Sequence, residues 1–169
     1  MKDALDFAQS VLAAAMADVT HLKLQKLTFY AYGAAVAARQ SVPFVQFQHW
    51  KHGPVCVPVY EHFKGAGSTT LVPEVFAEQL SGAARDAVRV YGALSAWQLR
   101  EESHLEAPWR DTELGQDIPN ELVVEHFRAK FSGRVRAPMN LLGSWSLAVD
   151  GLPALTAATL GELASALGR

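Results

Sequence analysis

The chain has 169 residues, half of them hydrophobic and 19% charged, with a formal net charge of −2. That length and composition suit a folded domain with its own core. They argue against a sequence-independent nucleic-acid binder, which works through a basic face. A single cysteine, Cys56, rules out an internal disulfide and points to a reducing, cytoplasmic setting. The first residues include Asp3 and Asp6 and lack the basic start and apolar run of a signal peptide. No stretch of about 18 apolar residues occurs, so no membrane span is expected.

Ala4, Leu5, Ala8, Val11, Leu12 and Ala15 recur at helical spacing and predict a first helix over residues 3–17. Thr20 is placed to cap a second helix running to about Arg39, with Leu24, Leu27 and Ala31 on its apolar face. On that helix Lys23 and Lys26 read as a solvated basic edge. Gln25, Lys26 and Tyr30 could instead present a contact surface to a partner. Phe44, Val45 and Phe47 lead into Trp50 as a short strand. Trp50-Lys51-His52-Gly53-Pro54-Val55 then marks a tightly shaped turn, because Gly frees the backbone and Pro fixes φ.

A third helix is expected over Pro58 to Lys64, followed by a loop at Gly65 to Ser68. Residues 69–80 are ambiguous between a short strand at Leu71 and Val72 and a helical turn. Ser81 is placed to cap a helix over 82–92, and Ser95 a helix reaching Glu102. A loop carrying His104, Glu106, Pro108 and Trp109 should follow. Pro119 suits the start of an amphipathic helix whose inner face holds Leu122, Val123, His126, Phe127 and Phe131. Residues 136–169 carry only Arg136, Asp150, Glu162 and Arg169 as charges. The expected fold is mainly α, a compact helical domain over residues 1–135 with a small β element around the Gly-Pro turn. The apolar extension over 136–169, which includes Trp145, should pack on the domain or on a partner.

Catalytic signatures are sparse. His49 and His52 are three apart and His104-x-Glu106 looks ligand-like, but no zinc-site spacing is present, so no metal and no cofactor is expected. His52, Glu61, His104 and Glu106 could converge for acid–base chemistry, the basis of an alternative reading as a metal-dependent or His/Glu hydrolase. Gly65-x-Gly67-Ser68 lacks the lysine of a phosphate cradle. Cys56 reads as a small buried hydrophobe. Trp50 and Trp109, with their large area, are expected to be largely buried.

Four motifs in order carry a resemblance. They are Leu22-Lys23-Leu24-Gln25-Lys26-Leu27-x-x-Tyr30-Ala31; Trp50-Lys51-His52-Gly53-Pro54-Val55 with Val59-Tyr60; Tyr91-Gly92-x-Leu94-Ser95; and His104-x-Glu106-x-Pro108-Trp109. Together they resemble the Panacea domain of bacterial and phage-associated proteins. The resemblance implies an antitoxin that neutralises a cognate toxin by direct contact, either by covering it or by delivering it to an ATP-dependent protease. It implies no catalytic residue. It also implies that Trp50, His52, Gly53, Pro54, Tyr60, His104, Glu106 and Trp109 maintain the scaffold. Lys23, Lys26, Tyr30 and Trp145 are the candidate partner contacts.

Overall fold

A computed structural model describes residues 3–15, 18–74 and 80–131. Over these residues the chain forms seven α-helices and a small antiparallel sheet. Helix α1 (Ala4–Ala14) begins at Asp3, whose carboxylate accepts from the Leu5 and Asp6 amides (2.9 and 3.0 Å). Helix α2 (His21–Ala37) is capped by Thr20, as its position predicts. Strand β1 (Phe47–Trp50) turns through Lys51 and His52 into β2 (Gly53–Val55). Helix α3 (Val57–Phe63) follows directly, with Pro58 in its first turn, where its missing N–H leaves nothing unpaired.

Ser81 caps α4 (Gly82–Tyr91). Ser95 and Gln98 form a reciprocal capping box on α5 (Ala96–Leu105), each side chain bonded to the other's backbone amide. Helix α5 runs past Glu102, and Glu106 separates it from a one-turn helix α6 (Ala107–Arg110). The expected loop is therefore two helices meeting at Glu106, with His104, Pro108 and Trp109 on helical backbone. Strand β3 (Asp117–Ile118) leads into α7 (Asn120–Phe131). The sheet order is β2-β1-β3, with Trp50 opposite Gly53 and Phe47 opposite Ile118.

Helix α2 is the centre of the fold. It packs against α1, α3, α4, α5, α7 and β2. Fourteen of its seventeen residues are buried, so it has no solvated face. This overturns the expected basic edge: a helix enclosed on every side must satisfy its polar side chains internally. Helix α7 comes close to it at one point. A Cβ on Gly33 would stand 2.3 Å from the Phe127 ring, so glycine is what lets that ring lie on the α2 backbone.

The core also takes Phe7, Phe29, Phe47 and Val59, with Phe29 set edge-on to Phe47 and to Phe127 (both 5.2 Å). Trp50 and Trp109 sit at its margin, only partly buried, rather than within it. Leu71 is buried but Val72 is 78% exposed, and residues 69–74 form no strand. Leu122, expected on the inner face of α7, is 38% exposed. The extension over 136–169, including Trp145, lies outside the described residues.

Candidate functional site

The sequence motifs meet in space. Gln25 and Lys26, adjacent on α2, grip the backbone of β2 and of Cys56 just after it. The Gln25 amide works like one rung of a sheet ladder: its Oε1 accepts from the Cys56 N–H (2.8 Å) and its Nε2 donates to the Cys56 carbonyl (3.4 Å). Lys26 Nζ donates to the Pro54 carbonyl (2.8 Å). Between them Gly53 holds φ +98°, a conformation other residues rarely adopt. A Cβ there would meet Ser103 Oγ at 2.5 Å and Lys26 Cε at 2.7 Å. The glycine thus both shapes the hairpin and makes room for the lysine. Burial drives the Lys26 amine down to about 7, with the nearby Arg100 charge adding to the effect.

One turn along α2, Tyr30 reaches Glu106. The tyrosine hydroxyl donates to Glu106 Oε1 (3.0 Å), and Lys130 of α7 donates to the same oxygen. His126, also on α7, bonds Glu106 Oε2. The carboxylate is 1% exposed. Burial alone would raise its pKa, but the hydrogen bonds from His126 and Lys130 outweigh burial and hold it below the usual carboxylate range. For Lys130, burial is likewise outweighed, here by Tyr91 and Glu106, and its pKa rises. Tyr30 and Tyr91 stack at 3.8 Å, with Lys130 Nζ 5.4 Å from the Tyr30 ring centre. Burial pushes the Tyr30 hydroxyl well up and Tyr91 to about 12.

A third contact closes the set. Trp109 Nε1 donates to the Trp50 carbonyl (3.1 Å), tying α6 to the hairpin. The Trp109 ring lies parallel to His104 (3.9 Å, 3°), and His49 packs against it at 4.1 Å. Trp50 itself rests on Tyr60 at 4.8 Å.

Lys23, Lys26 and Tyr30 are therefore not the surface the sequence suggested. All three are buried, and Lys26 and Tyr30 are wholly enclosed by groups from the hairpin, α5 and α7. Nor do His52, Glu61, His104 and Glu106 converge. His52 is exposed at the hairpin tip and accepts from Arg100 Nε (3.2 Å). Glu61 pairs with Lys64 on the outside of α3, His104 lies on Trp109, and Glu106 sits in the core. Cys56 is buried, and burial raises its thiol pKa.

Glu106 and His126 have the form of a carboxylate-oriented imidazole, a common acid–base pairing. Here both carboxylate oxygens are engaged by internal donors. Among the described residues His126 hydrogen-bonds to Glu106 and to no serine, threonine or cysteine. Among the same residues, no group of three or more His, Cys, Asp or Glu side chains is arranged to hold a metal ion. No helix among them is long and apolar enough to cross a membrane.

Sequence reasoning missed Lys130, Gly33 and Trp97. The signal for Lys130 was present: Val123, His126, Phe127 and Lys130 follow the i, i+3, i+4, i+7 stripe of one helix face. A cation on such a stripe calls for a buried anion, and Glu106 is that anion. Trp97 is 62% exposed on α5, beside His52 and Arg100. No family model, no curated protein and no solved structure matches this chain.

Proposed function

We propose that this chain is a cytoplasmic antitoxin, a protein-binding module that neutralises a cognate toxin encoded beside it by direct contact. One observation carries the reading. The residues that resemble a Panacea domain are spread over the chain, yet they bond to one another: Tyr30 to Glu106, Lys26 to Pro54 and Trp109 to Trp50, while Gln25 holds Cys56, the residue just after the second motif. Chance similarities in separate segments have no reason to close into one interlock. The interlock also accounts for what the motif residues do. They build a scaffold and leave partner recognition to other surfaces.

Two routes follow from such binding. This chain either covers the toxin's working surface or carries the toxin to an ATP-dependent protease. Growth of cells expressing the adjacent gene product is the test. Induction of that product alone should arrest growth, and co-induction of this chain should restore it. If toxin level stays constant during rescue, occlusion operates. If toxin half-life shortens, delivery does. Absence of arrest, or arrest that this chain does not relieve, contradicts the antitoxin reading.

A further inference from the structure

His21, the first residue of α2, is 8% exposed and stands one turn before Gln25. Its Nε2 lies 3.4 Å from Gln25 Nε2. The backbone of Cys56 settles which end of the Gln25 amide faces the ring. A backbone N–H only donates and a carbonyl only accepts. The Cys56 N–H meets one end of the amide and the Cys56 carbonyl the other, so the first end is the oxygen and the second the NH2 group. The NH2 group therefore points at His21, and His21 Nε2 must accept from it. An accepting Nε2 carries no proton, so the ring is neutral with its hydrogen on Nδ1.

The surroundings oppose a charge on this ring. Burial lowers its pKa, and the Lys26 charge lowers it further. The ring stands at the N-terminus of a 17-residue helix, the positive end of the helix dipole. Tyr60 of α3 packs on it at 5.0 Å. Other charged groups in this region act on its neighbours: Asp18 on Lys23, Arg100 on Lys26, and Asp3 of the α1 cap on the Cys56 thiol. On α3 Glu61 pairs with Lys64, and His62 with Glu74. Strand β2 brings Gly53, Pro54 and Val55, none of them titratable.

We propose that His21 and Gln25 form an acid-sensitive latch: a proton taken up by His21 turns the Gln25 amide and releases the junction of β2 and α3, at Cys56, from α2. A protonated Nε2 sets N–H against the N–H of the amide as it now lies. Turning the amide offers its oxygen to the charged ring but sets its NH2 group against the Cys56 N–H. No orientation of Gln25 serves both partners once the ring is charged. A hydrogen bond to a charged donor is the stronger of the two, so the amide turns to the ring and the Cys56 grip yields. Lys26 still holds the Pro54 carbonyl, so release is confined to the Cys56 end of the clamp. The latch stands whether or not the chain binds a toxin.

Nitrogen-15 NMR of the isotope-labelled full chain tests the latch. At about pH 7.5 His21 should show a bare Nε2 and a protonated Nδ1. It should titrate below 6.5, the ordinary histidine value. As the ring titrates, exchange protection of the Cys56 amide should fall about tenfold or more, while the buried Ala31 amide of α2 keeps its protection. His21→Leu should abolish that fall. It retains Lys26, so it separates the latch from titration of that amine. Gln25→Glu should move the His21 titration above 6.5, because a carboxylate favours the charged ring. The wild-type spectra carry the test even where a variant fails to fold. A proton on Nε2 at neutral pH, a titration at or above 6.5, or Cys56 protection that ignores the titration overturns the proposal. So does a fall that persists in His21→Leu, and so does a loss shared equally by Ala31, which is unfolding rather than release.

Discussion

Gly53→Ala tests the interlock where the hairpin meets α2 and α5. Two costs follow from the structure. At φ +98° an alanine pays roughly 1–2 kcal/mol for left-handed backbone. Its Cβ would also sit 2.5 Å from Ser103 Oγ and 2.7 Å from Lys26 Cε. Neither neighbour can easily retreat: Lys26 is bonded to Pro54, and Ser103 Oγ donates to the Arg100 carbonyl. Overpacking of this kind costs roughly 1–3 kcal/mol more. The total, about 2–5 kcal/mol, should lower the urea midpoint clearly and Tm by roughly 5–15 °C. Gly115→Ala is the matched control, with φ +83° and nothing within 4 Å of its new Cβ. It should lose only the backbone component. Adding Ser103→Ala to Gly53→Ala should recover part of the difference. If Gly53→Ala and Gly115→Ala agree within about 0.5 kcal/mol, the close approach between the hairpin, α2 and α5 does not carry the energy assigned to it.

Lys26 links stability to pH: its amine is held at about 7 when folded and 10.5 is its ordinary value, so between these the unfolded chain binds the extra proton. Stability should therefore rise with pH in that window, by about 1.5 kcal/mol from pH 7 to 8.5. Urea melts of Lys26→Met should show most of that slope gone; an unchanged slope contradicts the burial of the amine. Glu106→Gln keeps the shape of the side chain but strands Lys130 in the core without its anion, and should cost about 3–5 kcal/mol in the same melts. A loss under about 1 kcal/mol would show that the cluster is solvated. The Cys56 thiol should resist Ellman's reagent in the native protein and react once urea unfolds it, whereas native reactivity would contradict its burial.

Local features of the fold were legible in the sequence. Thr20, Ser81 and Ser95 each cap the helix that their position predicts, because a capping oxygen and the amide it serves lie within three residues. A tight turn between Trp50 and Val55 was readable from Gly-Pro, but the reversal itself falls at Lys51 and His52, and Gly53 and Pro54 lie in the paired strand β2. What periodicity could not show was that α2 is enclosed all round. Its polar residues look like a solvated edge until their partners are known, and those partners lie 28, 31 and 76 residues away. The same distance in sequence hid the pairing of Lys130 with Glu106. His104 and Trp109 lie on helical backbone, not in the expected loop, and Pro108 sits harmlessly in the first turn of α6. Nothing in the local pattern around Trp97 separates an exposed tryptophan from a core one.

On the proposed function, this scaffold neutralises a toxin by holding it. Sedimentation of the purified full-length chain with the purified adjacent gene product tests that most directly. A single faster-sedimenting complex of fixed stoichiometry, formed without nucleotide, metal or nucleic acid, is expected. Two species that sediment independently at micromolar concentrations, under conditions where co-expression rescues growth, would contradict it.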